Sequence, residues 1–125
     1  MSIAVELVTD PSIIILDEPT SGLDSFSALS LTRMLHKFAR DHGKTVIAAI
    51  HQPSSEAFHK YFDRLLLMQE GHIVYQGPTC LALQHFVSLG VEIKGKYKNP
   101  ADVFMRALCV SEGTDQTFIN AYDDA

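Results

Sequence analysis

Residues 13–25 read Ile-Ile-Ile-Leu-Asp-Glu-Pro-Thr-Ser-Gly-Leu-Asp-Ser, and they constrain the fold more than any other stretch. Four large aliphatic residues, Ile13 to Leu16, run without alternation and stop at two carboxylates, Asp17 and Glu18. An uninterrupted β-branched run predicts a strand buried on both faces, as in a parallel sheet covered by helices. Ligands of such sheets sit beyond the carboxyl ends of the strands, where Asp17 and Glu18 fall. Consecutive strand residues point to opposite sides, so the two acids are expected to have separate tasks. One can hold a hydrated Mg²⁺ ion while the other polarises an attacking water. Pro19 ends sheet pairing, and Ser21-Gly22 permits a tight turn before Asp24 or Ser25 caps a helix.

The whole string is far more specific than the acid pair. It resembles the Walker B strand and D-loop of ABC-type ATPases. That resemblance implies Mg²⁺ binding by Asp17, a catalytic carboxylate at Glu18, and ATP as the nucleotide. It makes 21–24, Ser-Gly-Leu-Asp, the D-loop, so that Ser21, Gly22 and Asp24 line the nucleotide interface with a second nucleotide-binding domain.

Taken in order, residues 2–8 are expected to be helical and to stop before Pro11, which disfavours helix at the residue preceding it. The strand occupies 12–17. A helix from about 25 to 41 follows, with Ala28, Leu31, Leu35, Phe38 and Ala39 at helical spacing. His42-Gly43 is its C-terminal stop. Residues 45–50, Thr-Val-Ile-Ala-Ala-Ile, read as a second buried strand, joined to the first through one helix as in a right-handed β-α-β unit.

That strand ends in His51-Gln52-Pro53, over the same sheet edge as Glu18. Residues 48–54, Ala-Ala-Ile-His-Gln-Pro-Ser, resemble the switch region of ABC ATPases, particularly the G subfamily of white-type and breast-cancer-resistance-type half-transporters. By that resemblance His51 contacts the γ-phosphate and helps hold the attacking water. The other histidines are read as packed or solvated.

Ser54 or Ser55 is expected to cap a short helix with Ala57, Phe58, Tyr61 and Phe62 on its apolar face. A hairpin follows, 64–69 and 72–76 flanking Glu70-Gly71, and residues 70–78 resemble the antiparallel hairpin after the ABC switch histidine. Gly77-Pro78 is expected to break it, and Thr79 to cap a helix reaching Leu89 and stopping at Gly90. Residues 90–97 nearly fit a phosphate-binding loop, but Tyr97 stands where Ser or Thr must reach Mg²⁺ and no buried strand precedes it, so these glycines are read as loop formers. Asn99-Pro100-Ala101-Asp102 is a helix start, and it too resembles the end of G-subfamily nucleotide-binding domains.

Across 125 residues the net charge is −5 and the apolar fraction 46%, an ordinary globular composition without the footprint of nucleic-acid binding. No apolar run is long enough to span a bilayer, and no signal peptide is expected. Cys80 and Cys109 lack metal-type spacing, which points to a reduced cytosolic setting.

The expected fold is therefore α/β, a partial P-loop NTPase-type domain of the ABC ATPase kind. Residues 1–110 form its C-terminal part, with a parallel sheet, helices on both faces and a terminal hairpin, and 111–125 form a short tail. No Walker A loop, glutamine loop or Ser-Gly-Gly signature occurs among the 125 residues. The resemblance implies a piece of the ATP-hydrolysing domain of an ABC transporter at the cytoplasmic face of a membrane, inactive by itself. Its partners would be a second nucleotide-binding domain and the transporter's own transmembrane domain. The alternatives are a soluble ABC-type ATPase of translation or DNA repair, and a non-catalytic piece that pairs with intact ATPase domains.

Overall fold

The computed structural model describes residues 10–91 and 99–109. The helix expected at 2–8, most of the loop at 90–97 and the tail at 111–125 lie outside the described residues. The chain divides into two compact units, Met1–Pro53 and Ser54–Ala125.

In the first unit β1 (Ile13–Asp17) leads through a loop to α1 (Ser25–His42) and then to β2 (Thr45–Ala49). The strands pair in parallel, from Ile13 opposite Thr45 to Asp17 opposite Ala49. The start of α1 is set by Asp24, whose carboxylate accepts the amides of Phe26 and Ser27, both at 3.0 Å. Its end is set by Gly43, left-handed at φ 62°, whose amide donates to the Ala39 carbonyl. Ile14, Leu16 and Leu35 form the core, with Leu31, Phe38, Val46 and Ala48 packed around them. Burying each such large side chain contributes roughly 1.5–3 kcal/mol.

The expectation of strands buried on both faces does not hold. Exposure alternates along β1, with Ile13 57% and Ile15 72% exposed, and Ile47 on β2 is 52% exposed. The cause is that α1 covers one face, while the other face carries its isoleucines in contact with solvent.

The second unit contains α2 (Ser55–Tyr61), β3 (Arg64–Gln69), β4 (His72–Pro78), α3 (Thr79–Ser88) and α4 (Pro100–Cys109). Ser54 caps α2 by accepting the Ala57 amide at 3.2 Å. The strands β3 and β4 form an antiparallel hairpin whose turn residues Glu70 and Gly71 have φ 48° and 85°. Two consecutive positive φ values define a type I′ turn, the turn whose twist suits a hairpin. The register shifts between Leu67 and Met68, leaving Val74 as the extra residue of a bulge. Val74 and Tyr75 are consequently both buried, although neighbours on a regular strand would face opposite ways. They join Phe58, Ala82, Phe86 and Phe104 in the core of this unit.

Two expectations are corrected here. The hairpin does not break at Gly77-Pro78, because Gly77 pairs with Leu65 and Pro78 with Arg64. Pro78 sits at the last rung, where its missing N–H is tolerated. Thr79 does not cap α3: it is the first helical residue and is buried, and Pro78 precedes it with no side-chain cap bond. At α4 the expected start holds, with Asn99 Oδ1 accepting the Ala101 amide at 3.2 Å.

Tyr75 donates its hydroxyl to the Pro78 carbonyl at 2.7 Å, and burial, reinforced by the neighbouring Cys80, raises its pKa above the ordinary 10.0. The folded value exceeds the unfolded one, so the buried neutral phenol contributes stability that is fully present below pH about 10 and is lost as pH rises through the raised value. An absorbance titration is expected to show one of the four tyrosines ionising late, together with alkaline unfolding. Tyr75→Phe should abolish the late phase; a late phase that persists in this variant would assign it elsewhere.

Candidate functional site at the carboxyl end of the parallel strands

The parallel register gathers the predicted residues at one end of the first unit. Asp17, the last residue of β1, stands opposite Ala49, the last of β2, and is exposed. Glu18 lies just outside the strand, with its amide donating to the Ala49 carbonyl at 3.0 Å. His51 follows β2 by two residues and is exposed in a bend at the same end. The sheet thus brings Asp17, Glu18 and the chain leading to His51 to a common edge. β2 stops one residue before the expected Ile50.

Strand alternation does not govern Glu18, contrary to the expectation for consecutive strand residues. Its φ is 44°, in the left-handed region, uncommon for a residue other than glycine. The Glu18 carbonyl accepts the Ser21 amide at 3.0 Å, closing a β-turn with Pro19 at its second position. A second turn overlaps it, closed by Leu23 N–H donating to the Thr20 carbonyl at 3.2 Å. Gly22 occupies its third position at φ 75°, as a type II turn requires. Two successive turns therefore build the segment holding Ser21, Gly22 and Asp24.

Asp24 is occupied by its own helix. Besides the two amides, its Oδ2 accepts the Ser27 hydroxyl at 2.6 Å. That bond first, then the amide bonds, holds the carboxyl below the usual range. Ser21, Gly22 and the neighbouring Leu23 and Phe26 are exposed, Phe26 at 78%. The sequence reading gave Pro19 only the task of ending the strand and overlooked the Ala49 carbonyl; the Glu-Pro dipeptide was the available signal for a turn at that point.

Among the described residues no group of three or more His, Cys, Asp or Glu side chains is gathered for a metal ion. Adjacent exposed carboxylates at a strand end instead suit Mg²⁺, which takes one or two carboxylates and completes its shell with water and substrate phosphates.

The first unit is thus a small parallel sheet with an acid pair and a histidine beyond its carboxyl end. The chain belongs to the ABC-2 type transporter family, whose model matches residues 51–121. The matched model is that of the family's membrane region and not of a nucleotide-binding domain, yet no described helix is long and apolar enough to cross a membrane. Protein white of Drosophila melanogaster is 45% identical over 115 residues, 92% of this chain and 16% of that protein. The broad substrate specificity ATP-binding cassette transporter ABCG2 of Sus scrofa is 46% identical over 104 residues, 83% of this chain and 15% of that one. The chain therefore spans about a sixth of these relatives' length. Among solved structures, cbiO1 of Clostridium perfringens, part of the ABC transporter complex cbiONQ, superposes with a TM-score of 0.58 at 31% identity. That match covers 70% of this chain and 34% of cbiO1.

Proposed function

We propose that this chain is part of the ATP-hydrolysing domain of a G-subfamily ABC transporter, of the P-loop NTPase type, and couples ATP binding and hydrolysis to transport. The observation that carries the reading is the register of β1 and β2, which sets Asp17 and Glu18 beside the end of the strand leading to His51. Asp17 would hold Mg²⁺, which when bound neutralises charge on the phosphate oxygens. Glu18 accepts a proton from the attacking water, the role of a positioned carboxylate base. His51 donates toward the terminal phosphate and steadies that water. Ser21, Gly22 and Asp24 face a second nucleotide-binding domain. The principal grip on the phosphates, a glycine-rich loop with its lysine, comes from residues other than these. The domain works at the cytoplasmic face, against the transporter's transmembrane domain and without nucleic acid. The identity to protein white and ABCG2 favours this over a soluble ATPase of translation or DNA repair.

The test is a graft. The 125-residue chain replaces the matched stretch of the pig ABCG2 transporter, and the purified protein is assayed for phosphate release. ATP turnover within about tenfold of the parent is expected, the range within which a correctly assembled site differs by little more than 1.4 kcal/mol. A graft that folds and reaches the membrane but releases no phosphate would refute the reading.

A further inference from the structure

The apolar side chains of β1 do not fix its register against β2. Ile14 and Leu16 occupy the face covered by α1 and Ile13 and Ile15 the exposed one, so all four positions carry large aliphatic groups. A strand whose two faces are alike is prone to slip against its neighbour. Were β1 to advance by one residue, Ile13 and Ile15 would take the buried places and no polar side chain would enter the core. Backbone hydrogen bonds oppose this little, because every residue but proline offers the same donor and acceptor. The cost would fall on the site. Leu16 would stand opposite Ala49 in place of Asp17, and both acids would move by about 3.3 Å, the rise of one residue.

A side-chain tie that does discriminate lies at the other end of the sheet. Lys44 stands between Gly43, which ends α1, and Thr45, which begins β2. Its ammonium pairs with Asp10 Oδ1 at 2.9 Å and donates to the Asp10 carbonyl at 3.2 Å. The Lys44 side chain is only 13% exposed, unusual for a lysine, whereas that of Asp10 is open to solvent. The Lys44 amide donates to the Ala39 carbonyl at 2.9 Å, and the Thr45 amide to the Ser12 carbonyl at 3.0 Å. Lys44 therefore joins the end of α1 and the start of β2 to the approach to β1. A one-residue advance of β1 displaces Asp10 and turns its strand over, which separates the pair as it stands. We propose that Lys44 is a positioning residue: its grip on Asp10 pins β1 in the register that sets Asp17 opposite Ala49 and Glu18 just beyond. The inference rests on the reading of Asp17 and Glu18 as the Mg²⁺ and catalytic carboxylates.

Lys44→Met keeps the apolar stem and removes the charge. In the 125-residue chain, NMR is expected to show cross-strand contacts that place Asp17 opposite Ala49. In Lys44→Met a second set should appear, with Leu16 opposite Ala49. Slipped molecules lose the site but keep the phosphate grip supplied by other residues, so kcat falls with the fraction that slips. In the grafted transporter kcat should drop about three- to tenfold, with KM for ATP within about twofold. Lys44→Arg, which keeps the cation, should restore both the single register and the turnover. Should Lys44→Met fail to fold, Asp10→Asn decides instead. Asparagine tolerates the left-handed backbone of Asp10, φ 50°, and removes the charge, so the second register should appear in a smaller fraction. A single register with Asp17 opposite Ala49 in the deciding variant, or a slipped register with unchanged turnover, would overturn the proposal. Should Glu18→Gln leave turnover of the graft intact, the catalytic reading fails, while the cross-strand contacts still decide the register.

Discussion

Replacing Glu18 with Gln in the grafted transporter is expected to lower ATP turnover by roughly 10²–10⁴-fold, or about 3–5 kcal/mol of barrier. Gln preserves the size of the side chain and the backbone requirement at φ 44°, so the substitution isolates the carboxylate charge. The amide cannot take the proton of the attacking water, yet nothing that grips the nucleotide is removed. ATP binding and ATP-dependent pairing of the two domains should therefore persist in a trap of stalled complexes. On the proposed reading His51→Ala should also reduce turnover, because it removes the donor assigned to the terminal phosphate. Single-turnover phosphate release with parallel measurement of nucleotide affinity separates the two effects. Turnover retained in Glu18→Gln would remove Glu18 from the chemistry and leave the fold description standing.

What the sequence showed of this structure depends on whether the signal was local. The helix α1 was legible because its determinants lie within it: Asp24 at one end, Gly43 at the other, and Leu31, Leu35 and Phe38 at helical spacing between them. The pairing of β1 with β2 followed from the short helical link. The exposure of Ile13, Ile15 and Ile47 was not legible, because an apolar run is written in the same letters whether one face or both are covered. Gly77-Pro78 misled for a related reason. Glycine and proline were taken as breakers, but a Cβ at Gly77 would lie 2.8 Å from the Tyr75 hydroxyl, so the glycine makes room for a ring within the strand. The bulge at Val74, which lets Val74 and Tyr75 both enter the core, is announced by no pattern of neighbours.

The candidate site divides along the same line. The placement of Asp17, Glu18 and His51 at the carboxyl end of the parallel strands was readable, because each stands just past an apolar run. The backbone that presents Glu18 was not. Its amide donates to the carbonyl of Ala49, 31 residues further on (49 − 18), a partner that no local pattern announces. Period-two alternation describes a strand only until it ends, and β1 ends at Asp17, so it does not extend to Glu18.

The largest stability effect is expected from Phe86→Ala. Phe86 is fully buried, with its ring 5.0 Å from that of Phe104 and 6.4 Å from that of Tyr75. Phe104 in turn lies 5.5 Å from Phe58, so the rings join α2, β4, α3 and α4 in one core. Truncation loses the transfer free energy of the ring and leaves a cavity that these neighbours, held on three other elements, can fill only in part. Such substitutions cost about 3–5 kcal/mol. A domain is stabilised by only about 5–15 kcal/mol in total, so the second unit should be left near the edge of folding. At roughly 4–8 °C per kcal/mol for a unit of this size, its melting temperature should fall by at least about 12 °C. The companion substitution Val87→Ala, one residue along α3 at a half-exposed position, should change stability by no more than about 0.5 kcal/mol. Hydrogen exchange at the Val74 and Tyr75 amides localises the readout to this unit and avoids treating the whole chain as one transition. Exchange at those amides that is unaltered in Phe86→Ala would mean that the aromatic cluster does not hold α3 to the hairpin.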